Sequence, residues 1–95
     1  MVKAYLEIIL TIDGLDRAGV TAVYTLYKEP FLQTVKGALS NDLLTHIDDV
    51  QVLHGFDSVE NAQEYLMSDL FNKDVVTSLR PYLKGLPNIK IYSVT

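Results

Sequence analysis

Ala38-Leu-Ser-Asn-Asp-Leu-Leu-Thr-His-Ile47 and Val50-Gln-Val-Leu-His-Gly-Phe56, joined by Asp48-Asp49, read as two β-strands around a tight acidic turn. With the two aspartates as the loop, antiparallel pairing sets Ile47 opposite Val50, Thr45 opposite Val52, Leu43 opposite His54 and Asn41 opposite Phe56. This face is mainly apolar. The other face holds Asp42, Leu44, His46, Gln51, Leu53 and Gly55, a mixture suited to meeting another subunit. Side chains alternate along a strand, so a slip of one residue would exchange the two faces.

Outward from the hairpin, each side reads as a helix and then a strand. Residues 3 to 12 alternate, with Ala4, Leu6, Ile8, Leu10 and Ile12 on one face and Lys3, Tyr5, Glu7, Ile9 and Thr11 on the other. Asp13-Gly14 is a turn signal, and Asp16 is a plausible N-cap for a helix carrying Val20, Val23, Tyr24, Tyr27 and Phe31. Pro30 lacks an amide hydrogen, which predicts a helix to about Lys28 and a second short turn through Lys36, ended by Gly37. After the hairpin, either Asp57, with Glu60 three positions on, or Ser58 caps a second helix along Val59, Ala62, Leu66 and Leu70, with Met67 and Phe71 beside them. Asn72-Lys73-Asp74 reads as a break. A further helix carries Val75, Val76, Leu79, Tyr82 and Leu83 and stops at Gly85-Leu86-Pro87, and Asn88 to Val94 alternate as a closing strand.

The order β-α-β-β-α-α-β predicts an α+β, ferredoxin-like split βαβ: a four-stranded antiparallel sheet with helices on one face. Ile9, Leu44 and Leu53 on the other face argue against leaving it to solvent, so a homodimer burying that face, a dimeric α/β barrel, is the expected assembly. A chain of 95 residues buries only about 60 to 65% of its unfolded surface, and a subunit interface adds to a thin core.

Composition narrows the function classes. Hydrophobic residues at 48% and charged residues at 21% fit one globular domain over residues 1–95. Eight Lys+Arg against twelve Asp+Glu, a net charge of −4, lack the basic surface that nucleic acid requires. The absence of cysteine removes disulfides, thiol nucleophiles, thiolate-bound zinc and iron–sulfur clusters. No stretch approaches the ~18 to 20 apolar residues of a membrane span, and Glu7 interrupts the apolar N-terminus, so a soluble cytoplasmic protein without membrane partners is expected. Asp42, Asp48, Asp49, Asp57, Glu60, Glu64, Asp69 and Asp74 are spread over turns, caps and solvated faces without metal-ligand spacing, so no metal is expected. The glycines form no dinucleotide or phosphate loop, and no Ser or Thr sits in a nucleophile elbow.

Several segments together resemble the antibiotic-biosynthesis-monooxygenase-like group of the dimeric α/β-barrel superfamily. They are Gly37-Ala38-Leu39-Ser40 entering the second strand, Asp48-Asp49, Phe56-Asp57-Ser58, Tyr65-Leu-Met-Ser-Asp-Leu-Phe71, Leu86-Pro87 and Ile91-Tyr92-Ser93-Val94, in order over nearly the whole chain. The resemblance implies a homodimeric barrel and, among the family's activities, cofactor-independent monooxygenation of a small aromatic or quinol-like molecule. Positions at which the family often carries His and Trp are Leu70 and Phe56 here, and with no Trp in the chain haem degradation is not implied. A non-enzymatic small-ligand-binding or stress-related dimer is the other reading.

Within that frame His54 is the candidate catalytic residue. Either it is a base held neutral near pH 7 in the sheet–helix pocket, or it is a core histidine satisfied by a hydroxyl or carbonyl. Tyr27 and Tyr65, with Tyr24 near them, are candidates to orient an aromatic ligand, and Asn41 to donate a hydrogen bond to a substrate oxygen; core packing and a strand-end turn are their plainer roles. Glu7 and His46 are expected on the uncovered face in a subunit-interface role, with Lys3, Lys90, Tyr92 or His46 as a partner for Glu7.

Overall fold

Alternation has its expected consequence in β1 (Ala4–Leu10), where Ala4, Leu6, Ile8 and Leu10 are buried and the residues between them are half-buried. The computed structural model describes residues 1–12, 16–47 and 49–95. The Asp13-Gly14 turn and Asp48 of the hairpin lie outside the described residues. Three further strands, β2 (Ala38–Thr45), β3 (Val50–Phe56) and β4 (Asn88–Ser93), join β1 in an antiparallel sheet ordered β2-β3-β1-β4. Since β3 lies between β1 and β2, the first crossover is split, the ferredoxin-like α+β arrangement. Helix α1 (Arg17–Thr34) and α2 (Val59–Leu66) supply Val20, Phe31, Ala62 and Tyr65 to the core that the sheet's inner face forms.

The hairpin is longer in its loop than the sequence predicts. Thr45 pairs with Val50, Leu43 with Val52 and Asn41 with His54, and the His46 amide donates to the Asp49 carbonyl at 2.9 Å. The register differs by two residues from the expected one. A shift of two returns each strand residue to the face expected for it, while His46 and Ile47, expected within the strand, fall beyond its end at Thr45. The main change is that Asn41, expected opposite Phe56, stands opposite His54.

Helix α1 also departs from expectation, running without interruption through Pro30 to Thr34. The missing bond would run to the Leu26 carbonyl, and both Leu26 and Pro30 lie on the exposed side where water reaches it. Phe31, 1% exposed, holds the next turn against the core, and the Thr34 hydroxyl donates to the Pro30 carbonyl at 2.6 Å. Asp16 precedes the helix but makes no side-chain cap bond. Gly37 then takes φ +80, and a Cβ there would run into the side chains of Asp57 and Asn61.

Ser58, the second of the two candidates, caps α2, its hydroxyl accepting from the Asn61 amide at 3.1 Å. The break expected at Asn72-Lys73-Asp74 falls instead at Met67-Ser68. There the Ser68 hydroxyl donates to the Tyr65 carbonyl at 2.6 Å and accepts from the Phe71 amide at 3.2 Å, ending one helix and starting the next. The Asn72 side chain donates to the Leu66 and Ser68 carbonyls, both at 2.9 Å. A π-helical turn follows over Leu70–Val75, with the Val76 amide bonded to the Phe71 carbonyl, and leads into α3 (Val76–Leu79) and a 3-10 turn at Arg80–Tyr82. Helical structure therefore ends before Gly85.

Candidate functional site

The inner faces of β2 and β3 carry the buried polar side chains Asn41 and His54, which are cross-strand neighbours. They line a cavity of about 50 Å³ between the sheet and the helices. The walls are aliphatic and aromatic, from Ile8 and Leu10 of β1, Val20, Val23 and Phe31 of α1, Val75 at the end of the π turn, and Val76 and Leu79 of α3. Tyr24, Tyr27 and Tyr65 add phenol groups, and none of the described residues lining the cavity carries a formal charge at pH 7.

His54 is 4% exposed, and its Nδ1 lies 3.1 Å from the Leu6 carbonyl of β1. A carbonyl only accepts, so Nδ1 carries the hydrogen and Nε2 is left as an acceptor. The ring packs edge-on against Phe31, with centroids 5.0 Å apart, and is tilted against Tyr65 at 5.6 Å. Burial pushes the imidazole pKa down to about 4, against a weaker upward effect of the Leu6 bond. It is neutral at pH 7, with little tendency to take up a proton. Burial also pushes the Tyr65 phenol upward, which keeps it protonated.

Each of the other expected side chains has a definite position. Tyr24 donates from its hydroxyl to the Asn41 backbone carbonyl at 2.7 Å, bracing β2 against α1. The Tyr27 hydroxyl shares a 3.2 Å hydrogen bond with the Ser78 hydroxyl, joining α1 to α3. Asn41 is 6% exposed, and its Oδ1 has no hydrogen-bond partner among the described residues. Thus Asn41, His54, Tyr27 and Tyr65 all border one cavity. The Leu6 carbonyl, which sets the His54 tautomer, is not foreshadowed in the sequence, because a backbone group on another strand leaves no mark in residue type.

On the outer face Glu7 stands directly opposite Lys90, one of its expected partners. His46 is not on that face as a strand residue. It lies beyond the end of β2, where its carbonyl, like that of Ile47 at 3.0 Å, accepts from the Arg17 guanidinium. Among the described residues no three His, Asp or Glu side chains are grouped to hold a metal, and no helix is long and apolar enough to cross a membrane.

No protein-family pattern matches the sequence, and no curated protein matches it either. Solved structures do match in fold. A conserved protein from Methanosarcina mazei superposes with a TM-score of 0.83 at 14% identity, covering 100% of this chain and 95% of its own. A Caulobacter crescentus protein provisionally named an antibiotic biosynthesis monooxygenase gives 0.83 at 16% identity, with 99% and 91% covered. A monooxygenase of Streptomyces coelicolor, solved with the ligand nanaomycin D, gives 0.77 at 18% identity, with 99% and 88% covered. The chain has the fold of the antibiotic-biosynthesis-monooxygenase-like group, as the resemblance in sequence implies.

Proposed function

We propose that the cavity between sheet and helices binds a small aromatic or quinol-like molecule, and that the chain works as a cytoplasmic homodimer. The observation that carries this reading is the Asn41 Oδ1 atom, a buried amide oxygen without a partner among the described residues in a largely apolar cavity. Such a group costs roughly 1–3 kcal/mol, and a ligand that donates to it recovers part of that cost. Tyr27 and Tyr65 flank the bound ring, and His54 faces it as a hydrogen-bond acceptor. A cavity of about 50 Å³ holds a few waters, each needing about 10–15 Å³, so a ring enters only when the helix layer yields outward. Support for the dimer comes from the outer sheet face, where Tyr5, Ile9, Leu44, Leu53 and Tyr92 surround Glu7 and Lys90.

The name and bound ligand of the Streptomyces coelicolor structure favour a second reading, monooxygenation, which the resemblance in sequence implies is cofactor-independent. In it His54 accepts the hydrogen bond of a substrate hydroxyl and raises the electron density of the ring. Full proton transfer is unfavourable, because an ordinary phenol titrates near 10 and His54 at about 4. Dioxygen then adds to the ring carbon para to that hydroxyl. One oxygen atom stays as a new carbonyl and the other leaves as water, with the substrate supplying all the electrons.

Native mass spectrometry of freshly purified protein tests the first reading: a dimer carrying a discrete small molecule is expected, and a bare monomer at micromolar concentration overturns it. Oxygen uptake with 1-naphthol tests the second. The expected product has gained one oxygen and lost two hydrogens, and unchanged uptake by His54→Ala removes His54 from the reaction.

A further inference from the structure

Two side-chain acceptors on the cavity wall have no donor among the described residues, and what they imply rests on the ligand site proposed above. We infer that Asn41 is the specificity-determining residue of that site: with His54 it admits uncharged rings bearing an O–H or N–H donor and rejects their ethers and anions.

Two independent observations leave acceptors facing the cavity. Asn41 is 6% exposed and its Oδ1 has no partner among the described residues. His54 is fixed by the Leu6 carbonyl in the tautomer whose remaining nitrogen, Nε2, accepts. The donors nearby are engaged elsewhere, the Tyr24 hydroxyl on the Asn41 backbone carbonyl and the Tyr27 hydroxyl with Ser78. The Tyr65 hydroxyl can turn to either role and sets no preference. With no charged group at pH 7 among the described lining residues, an anion would lose its water and gain no counter-charge. A ring ether fits the same space but leaves Oδ1 unpaired, and loss of such a pair is what gives a polar site its discrimination.

Phenol, anisole and benzoate probe these cases, since at pH 7 phenol is neutral and benzoate ionised. Chemical-shift titration of the isotopically labelled protein should show phenol binding about tenfold or more tightly than either of the others. Asn41→Leu, similar in size and without the amide, should shrink the phenol preference severalfold while anisole binds as well or better. Without ligand, that variant should melt no lower than the wild type, because it removes an unpaired buried group; a lower melting temperature would mean that the amide is structurally satisfied and would overturn the inference. Should Asn41→Leu not fold, Asn41→Ala takes its place in the titration, with the same loss of preference expected. Equal binding of phenol and anisole, tight binding of benzoate, or a phenol preference that survives the substitution overturns selection by Asn41 and leaves the ligand site standing. If none of the three probes shifts the resonances of the lining residues, the ligand site itself falls, and this inference with it.

Discussion

Charging His54 would place an imidazolium against Phe31 and Tyr65 with one carbonyl to share its protons, and this is why burial pushes its pKa down from 6.5 to about 4. The sign of the effect on stability follows. Between about pH 6.5 and pH 4 the unfolded chain binds a proton that the folded chain does not, so stability is full above that window and falls as pH drops through it. A shift of this size amounts to about 3 kcal/mol lost by pH 4. Urea unfolding at pH 7.5, 5.5 and 4.5 should show the loss. His54→Gln, which can still donate to the Leu6 carbonyl, should show a flatter profile, and the difference between the two isolates His54 from the acids. That an imidazole sits here is plain from residue type and strand parity. Its partner and its titration are not, because both depend on how β1 and the helices enclose it.

At the scale of elements, Pro30 and Ser68 show how packing and local bonding override a propensity. A proline in a helix interior costs about 3 kcal/mol relative to alanine, yet α1 continues because Phe31 is buried one residue later. Pro30→Ala should therefore stabilise the protein by about 1–3 kcal/mol with the fold unchanged, as measured by the shift in denaturant midpoint at constant slope. Ser68 starts the helical stretch leading to the π turn through its bond from the Phe71 amide, so Ser68→Ala should cost about 1 kcal/mol and speed hydrogen exchange at Phe71. The alternation of β1 and the three- and four-residue spacing of α1 are readable in sequence because one face of each is buried. The end of α1 is not, since the burial of Phe31 carries the helix past Pro30, and the second break is not, since the local bonds of Ser68 set it while Asn72-Lys73-Asp74 look more turn-like.

For the whole molecule, parity explains why the sheet faces can be read correctly while the hairpin register is not. β2 ends at Thr45 and pairs there with Val50, two residues away from the expected register, and because the shift is even, the outer face still presents Leu44, Leu53, Ile9 and Tyr5. Residues directly across the sheet form rows: Asp42, Leu53, Glu7 and Lys90 in one, and Leu44, Gln51, Ile9 and Asn88 in the next. In an interface between two copies, Leu53 lies in the middle of the first row, flanked by an acid on each side. Placing a lysine there would leave the local fold intact, because residue 53 points away from the core, but would put a charge into each half of the buried face. The proposed homodimer thus predicts that Leu53→Lys sediments as a monomer at concentrations where the parent is a dimer. Its melting temperature should also lose the protein-concentration dependence expected of the parent, since association stabilises by mass action. A variant that remains dimeric would place the subunit contact elsewhere than on the sheet, and a parent whose melting temperature is the same at 1 and 100 micromolar would overturn the homodimer itself.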